Sequence, residues 1–151
     1  MKQFIPFLMF LSFMLAISGC SNKNDYQKLS DYFTKTHGYN IEENTRVVFV
    51  ITENNCPACN KGFAQLTDNY LNSDSAVFLI TATGGRLDIS EYDSTQSNVF
   101  FDNRKNQYEY DFCEKTSAIF LDENKIDTIL NIEAGNINAQ FGFITEKMNG
   151  Q

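Results

Sequence analysis

The chain has 151 residues, 19 of them acidic and 12 basic, for a net charge of −7. That balance excludes a nucleic-acid binder, whose phosphate contacts need a basic face. Fourteen Phe and seven Tyr supply more apolar bulk than a disordered chain carries, so one folded domain is expected, the length being too short for two.

In chain order, the first segment is a lone positive charge, Lys2, followed by an apolar run from Phe4 to Ile17 that only Pro6 and Ser12 interrupt. A positive start, a short apolar stretch and small residues at the end form a secretory signal. The run spans 14 residues, fewer than the roughly 20 that a permanent transmembrane helix takes. Its ending, Ile17-Ser18-Gly19-Cys20, resembles the bacterial lipobox. The resemblance implies cleavage between Gly19 and Cys20, diacylglycerol on the Cys20 sulfur, and fatty acyl chains such as palmitate as the membrane anchor. Residues 1–19 would then be lost, 20–24 would be the lipidated cysteine and a short polar tether, and 25–151 the domain. Two or more acyl chains hold a protein stably where one holds it only marginally. The alternative is a plain signal peptide with an incidental cysteine. Losing Lys2 leaves 11 basic and 19 acidic side chains, a net −8. No polybasic face is then available, and Cys20 becomes the expected contact with the membrane. The domain is expected at a bacterial cell membrane, facing the periplasm or the cell exterior.

The mature chain alternates helical and strand patterns. Asp25 to His37 has Tyr26, Leu29, Tyr32 and Phe33 near one face and Gly38 as a stop, which predicts a helix ending in an exposed His37. Arg46 to Thr52 is apolar and β-branched, as in a strand buried on both faces. After the turn Glu53 to Asn55 comes Cys56-Pro57-Ala58-Cys59, and a helix is predicted from there to about Leu71, with Pro57 in its first turn. Ala76 to Thr81 predicts a second buried strand, Gly84-Gly85 a break, and Leu87 to Ser97 a short helix. Asn98 to Phe101 predicts a strand, and Asn103 to Phe112 a helical turn and loop. Ser117 to Leu121 and Ile126 to Ile132 flank a hairpin turn at Asp122 to Lys125, and Asn136 to Met148 predicts a closing helix. The expected class is α/β, with a central mixed sheet flanked by helices, ending in a β-hairpin and a C-terminal helix.

Four cysteines do not make two disulfides here. Cys20 is claimed by lipid, Cys56 and Cys59 form a close pair, and Cys113 is left over. The first thiol of the pair stands where a strand hands over to a helix. There the unpaired N–H groups and the helix dipole favour a thiolate, while the second thiol lies one turn inside. An exposed attacker beside a shielded resolver suits thiol–disulfide exchange. A structural disulfide is the first alternative, although so short a loop gains little from closure. A metal half-site is the second; zinc would need two more ligands, for which only Cys113 and His37 remain. Cys113 itself fits either an alternate thiol or a buried small apolar residue. Lys61 and Glu53 are near enough in sequence to influence the pair, and each also fits a plain surface position. Gly84-Gly85-Arg86 lacks the spacing of a phosphate loop and is better read as a turn. No cofactor is implied.

These residues together resemble the thioredoxin-like superfamily, nearest to the membrane-anchored thiol-disulfide oxidoreductases related to TlpA and ResA. The likeness covers about Thr45 to Met148 and rests on strand RVVFVIT before CPAC, strand AVFLIT after its helix, NVFFD, and the hairpin SAIFLDENKIDTIL. It implies Cys56 as nucleophile, Cys59 as resolving thiol, a protein thiol or disulfide as partner, and a monomer. The sequence departs from the family at four places. Asn55 replaces the usual aromatic before the first cysteine, and proline takes the first middle position of the motif. Thr116-Ser117 stands where a cis-proline is usual, and Val50 where many thioredoxins hold a buried acid. A cis bond without proline costs about 2.5–4 kcal/mol, so Thr116-Ser117 is expected to be trans. The other expected role for this domain is a partner-binding module in which CPAC is a passive disulfide.

Overall fold

The computed structural model describes residues 21–53, 56–81, 85, 88–102 and 115–150, the first four of them through their backbone. Cys20, Cys113, Asn55, Gly84, Arg86 and the segment Asn103 to Phe112 lie outside the described residues.

Five strands form one sheet: β1 (Val47–Ile51), β2 (Ala76–Ile80), β3 (Val99–Phe101), β4 (Ser117–Asp122) and β5 (Lys125–Asn131). Their order is β3-β2-β1-β4-β5. β2 is parallel to both β1 and β3, whereas β4 is antiparallel to both β1 and β5. The sheet is therefore mixed. It is flanked by α1 (Ser21–His37), α2 (Pro57–Asp68) and α3 (Ile137–Asn149), the last entered through a 3-10 turn at Ala134–Asn136.

The unbroken apolar strands follow from burial on both faces. All five residues of β1 and of β2 are buried. Val47, Phe49 and Ile51 pack with Phe63 of α2 and Ile144 of α3 in one core layer. Val48 and Val50 point the other way, against Leu29, Tyr32 and Phe33 of α1. Alternate side chains of a strand leave opposite faces, so a strand covered twice has no polar position to offer.

The parallel strands all run toward one end of the sheet. β1 leads there into Cys56, and β3 leads into Asp102. β4 starts at that end, with Ser117 opposite Val50, and runs away from it to the hairpin turn at the far end. In that turn Glu123 and Asn124 both have positive φ, 44° and 61°, as a two-residue type I′ turn demands. α1 spans the two ends. Near its start the Tyr26 hydroxyl donates to Asn124 Oδ1 at 2.9 Å, and near its finish Tyr32 reaches Asp102.

Three expectations need correction. α1 begins at Ser21, four residues before the expected start at Asp25. Residues 88–98 form turns rather than a helix. Asp88 Oδ1 accepts from the Ser90 N–H at 3.1 Å, and Asp93 Oδ1 accepts from the Thr95 N–H at 2.9 Å. Such local bonds compete with the helical ladder. Tyr92 nonetheless pins this segment, its hydroxyl 2.9 Å from Thr67 Oγ1 on α2, and burial pushes its pKa up to about 12. The third correction concerns His37. It is half-buried, with its ring 5.1 Å from Phe100 and 5.9 Å from Phe33. α1 ends as expected at Gly38, whose φ of 66° lets its N–H return to Thr34 O at 3.1 Å.

Candidate functional site

Cys56 occupies the N-cap of α2, with Pro57 at the first helical position. Proline there loses no hydrogen bond, because the first N–H groups of a helix have no partner within it. The group that does need a partner is the Cys59 N–H, and it donates to Cys56 Sγ at 3.1 Å. The two cysteines are joined in a disulfide, with Cα atoms 5.2 Å apart. Their exposures differ sharply. Cys56 is half-buried at the sheet end, and Pro57 and Ala58 are exposed beside it. Cys59 is 1 % exposed and belongs to the core layer of Phe49, Phe63 and Ile144. α2 therefore presents one sulfur to the surroundings and holds the other inside the domain.

Behind the disulfide lies a buried polar cluster that the sequence patterns do not reveal. Asn60, directly after Cys59, donates through Nδ2 to Thr52 O at 2.7 Å. Its Oδ1 accepts from Thr116 Oγ1 at 2.6 Å, and Thr116 Oγ1 in turn accepts from the Thr52 N–H at 3.2 Å. All three residues are buried. The cluster ties the first turn of α2 to the end of β1 and to the approach of β4. A signal for it does exist: Asn60 sits on the apolar stripe of α2 with Phe63 and Thr67, where a polar residue needs a buried partner. Thr116 carries no comparable signal, since its partners come from 56 and 64 positions away in the chain.

The Thr116–Ser117 peptide is trans, as the sequence predicts, no described bond being cis. Ser117 faces the α1 side, opposite Val50, and its Oγ is buried without a hydrogen-bond partner among the described residues. Val50 is a plain member of the core layer against α1. A buried carboxylate is nevertheless present at the same end of the sheet, contributed by Asp102 after β3. It accepts from the Tyr32 hydroxyl at 2.6 Å, and that hydroxyl lies 3.4 Å from His37 Nε2. Burial lowers the pKa of His37, and the nearby Asp102 charge opposes that shift.

This second cluster lies on the α1 face, whereas Cys59 lies on the face covered by α2 and α3. The sheet thus separates His37 from the cysteine pair, which removes it as a ligand to a metal held by Cys56 and Cys59. Lys61 is exposed on α2 and its charge acts on Asp88. Glu53 is half-buried in the turn after Thr52. Gly85 has φ 80° in an exposed bend, as a turn reading of Gly84-Gly85 requires.

A cleft of about 1000 Å³ opens at the hairpin end, lined by Glu42, Asp74, Asp122 and Asp127 among others. It is far from the disulfide and has no part in the candidate site. No described helix is long and apolar enough to cross a membrane. Searches of protein-family models, curated proteins and solved structures found no match to this chain.

Proposed function

We propose that this chain is a lipid-anchored thiol–disulfide oxidoreductase with a thioredoxin-like domain. The observation that carries the reading is the asymmetric pair at the N-terminus of α2: Cys56 half-exposed and accepting the Cys59 N–H, Cys59 buried. In the reduced protein the same N–H and the helix dipole favour thiolate at Cys56. The thiolate attacks one sulfur of a partner disulfide, forming a mixed disulfide and releasing the partner's other sulfur, which takes up a proton. Cys59 loses its proton and displaces the first partner sulfur from Cys56. The Cys56–Cys59 bond forms, and the partner has gained two electrons and two protons. Run backward, the oxidised pair takes two electrons from partner thiols.

Several features support the thioredoxin-like assignment. In the order β2-β1-β4-β5, a parallel pair is followed by two antiparallel strands. A helix follows β1 and another follows β5, and the CxxC sits at the junction of β1 with its helix. β3 adds a parallel edge strand. The anchor reading rests on Ile17-Ser18-Gly19-Cys20. It predicts that Cys20→Ala moves the protein from the membrane fraction to the soluble fraction.

The central test is a Cys59→Ser variant, which should accumulate Cys56-linked mixed disulfides that reductant releases. No such adducts, together with no reduction of insulin by the wild-type protein, would reject the exchange reading. A partner-binding module with a passive disulfide is the second reading. It is favoured by Thr116-Ser117 standing in place of proline and by the inward commitment of the Thr116 side chain to Asn60 and Thr52. It predicts that the Cys56→Ser, Cys59→Ser double variant keeps its cellular function.

A further inference from the structure

Two features singled out separately, the anchor at Cys20 and the disulfide at Cys56, are related by the course of α1. On the anchor reading the lipid-bearing cysteine directly precedes Ser21, where the described part of α1 begins. The first turns of α1 lie at the hairpin end of the sheet, where Tyr26 bonds Asn124. Its last turn lies at the other end, where Tyr32 bonds Asp102 beside the exits of the parallel strands. Cys56 follows the exit of β1 at that same end. A helix of 17 residues is about 25 Å long at 1.5 Å per residue. The anchor and the exchanging sulfur are thus separated by about the length of the domain.

We infer that the domain stands on the membrane by its hairpin end, with the CPAC end directed away from the lipid. The inference rests on the lipid-anchor reading and defines the partner of the exchange site. At a height of about 20–25 Å, Cys56 is well clear of the headgroup layer, which occupies only about 5–8 Å of each leaflet. Its partner is accordingly a protein whose thiols or disulfide lie in the aqueous space, either free or on a projecting domain. A disulfide held within the bilayer surface is out of reach.

The charge pattern does not itself hold the domain to the membrane. Glu42, Glu43, Asp74, Asp122, Glu123 and Asp127 border the cleft at the hairpin end, against Arg46 and Lys147. Anionic headgroups repel such a surface within a Debye length of about 8 Å. The base of the domain therefore has no electrostatic attraction of its own to an anionic membrane, and the inferred pose rests on the lipid and on the direction of α1.

The test uses the full lipidated chain in vesicles of phosphatidylethanolamine and phosphatidylglycerol that carry a headgroup nitroxide. A fluorophore is attached at Lys125→Cys, at the hairpin end, or at Lys61→Cys, on α2. Both are made in a Cys56→Ser, Cys59→Ser, Cys113→Ser background. The same labels in a Cys113→Ser chain with Cys56 and Cys59 left oxidised provide a second, disulfide-intact background. The label at 125 should be quenched several-fold more strongly than the label at 61. Equal or reversed quenching, with lipid on Cys20 verified by intact mass, overturns the orientation and leaves the exchange reading standing. Absence of lipid from Cys20 overturns both the anchor and the orientation, again without touching exchange at Cys56.

Discussion

Thr116 and Asn60 illustrate how much of the site is held by residues that do no chemistry. The Thr116 hydroxyl spends its proton on Asn60 Oδ1 and its lone pair on the Thr52 N–H. Thr116→Val keeps the shape and strands both partners in a dry environment. Leaving a buried polar group unpaired costs about 1–3 kcal/mol, and the loss should be read in denaturant unfolding. Because Asn60 and Thr116 share a bond, the Asn60→Ala, Thr116→Val double variant should lose less than the two single variants together. The difference is expected at about 0.5–3 kcal/mol; strict additivity would show that the contact contributes nothing. His37 makes a pH-dependent case. Burial lowers its pKa in the folded state, so the unfolded chain binds that proton more readily than the folded one. The stability this group contributes is present above its ordinary value of about 6.5 and is lost as pH falls below it. His37→Phe, which suits the surrounding rings of Tyr32, Phe33 and Phe100, should reduce the loss of unfolding free energy between about pH 7.5 and about pH 5. An unchanged pH profile would place the acid sensitivity elsewhere.

Among the elements, the β4–β5 hairpin carries an evident backbone cost. A type I′ turn prefers Asn or Gly at its centre, and Glu123 holds a φ of 44°. An ordinary side chain in the left-handed region costs roughly 1–2 kcal/mol, and asparagine tolerates it better. Glu123→Asn is expected to raise stability by about 0.5–1 kcal/mol, a gain that thermal unfolding would register. Asn124 has a second task, since its side chain accepts the hydroxyl of Tyr26 and so fastens α1 to the turn. Removing that side chain should loosen the first turns of α1 more than the hairpin itself, a difference amide exchange resolves. α2 is built differently. Its start is organised by Cys56 and Pro57 rather than by a Ser, Thr or Asp cap, so the half-exposed cysteine of the pair is also the residue that caps the helix.

At the scale of the molecule, the sheet divides the protein into two core layers and two ends with different properties. One end holds the disulfide and the buried groups Thr52, Asn60, Asp102 and Thr116. The other holds an acidic cleft. The disulfide itself adds little to global stability, because its partners are only three positions apart. Closure of so short a loop restricts the unfolded chain by about 2 kcal/mol. Reduction should therefore lower the unfolding free energy by no more than about that amount and leave the circular dichroism of the fold unchanged. Collapse of the fold on reduction would mark the bond as structural and favour the passive reading.

The sequence by itself determined the sheet strands, the helix boundaries to within a few residues, the hairpin, and the position of CPAC between β1 and α2. Those features are local, written as periodicity, as breakers such as Gly38, and as proline at a helix start. It failed for residues 88–98, where Asp88 and Asp93 bond their own backbone, and for the start of α1, whose first turn looks like a polar linker. Only the tertiary structure decided that His37 packs on Phe100, that Thr116 closes on Asn60, and that Asp102 meets Tyr32. Each of these contacts joins elements distant in the chain, so no local pattern encodes it. The same is true of the relation between the start of α1 and the disulfide. Ser21 and Cys56 are 35 positions apart, and the course of α1 from the hairpin end to the CPAC end sets them at opposite ends of the domain.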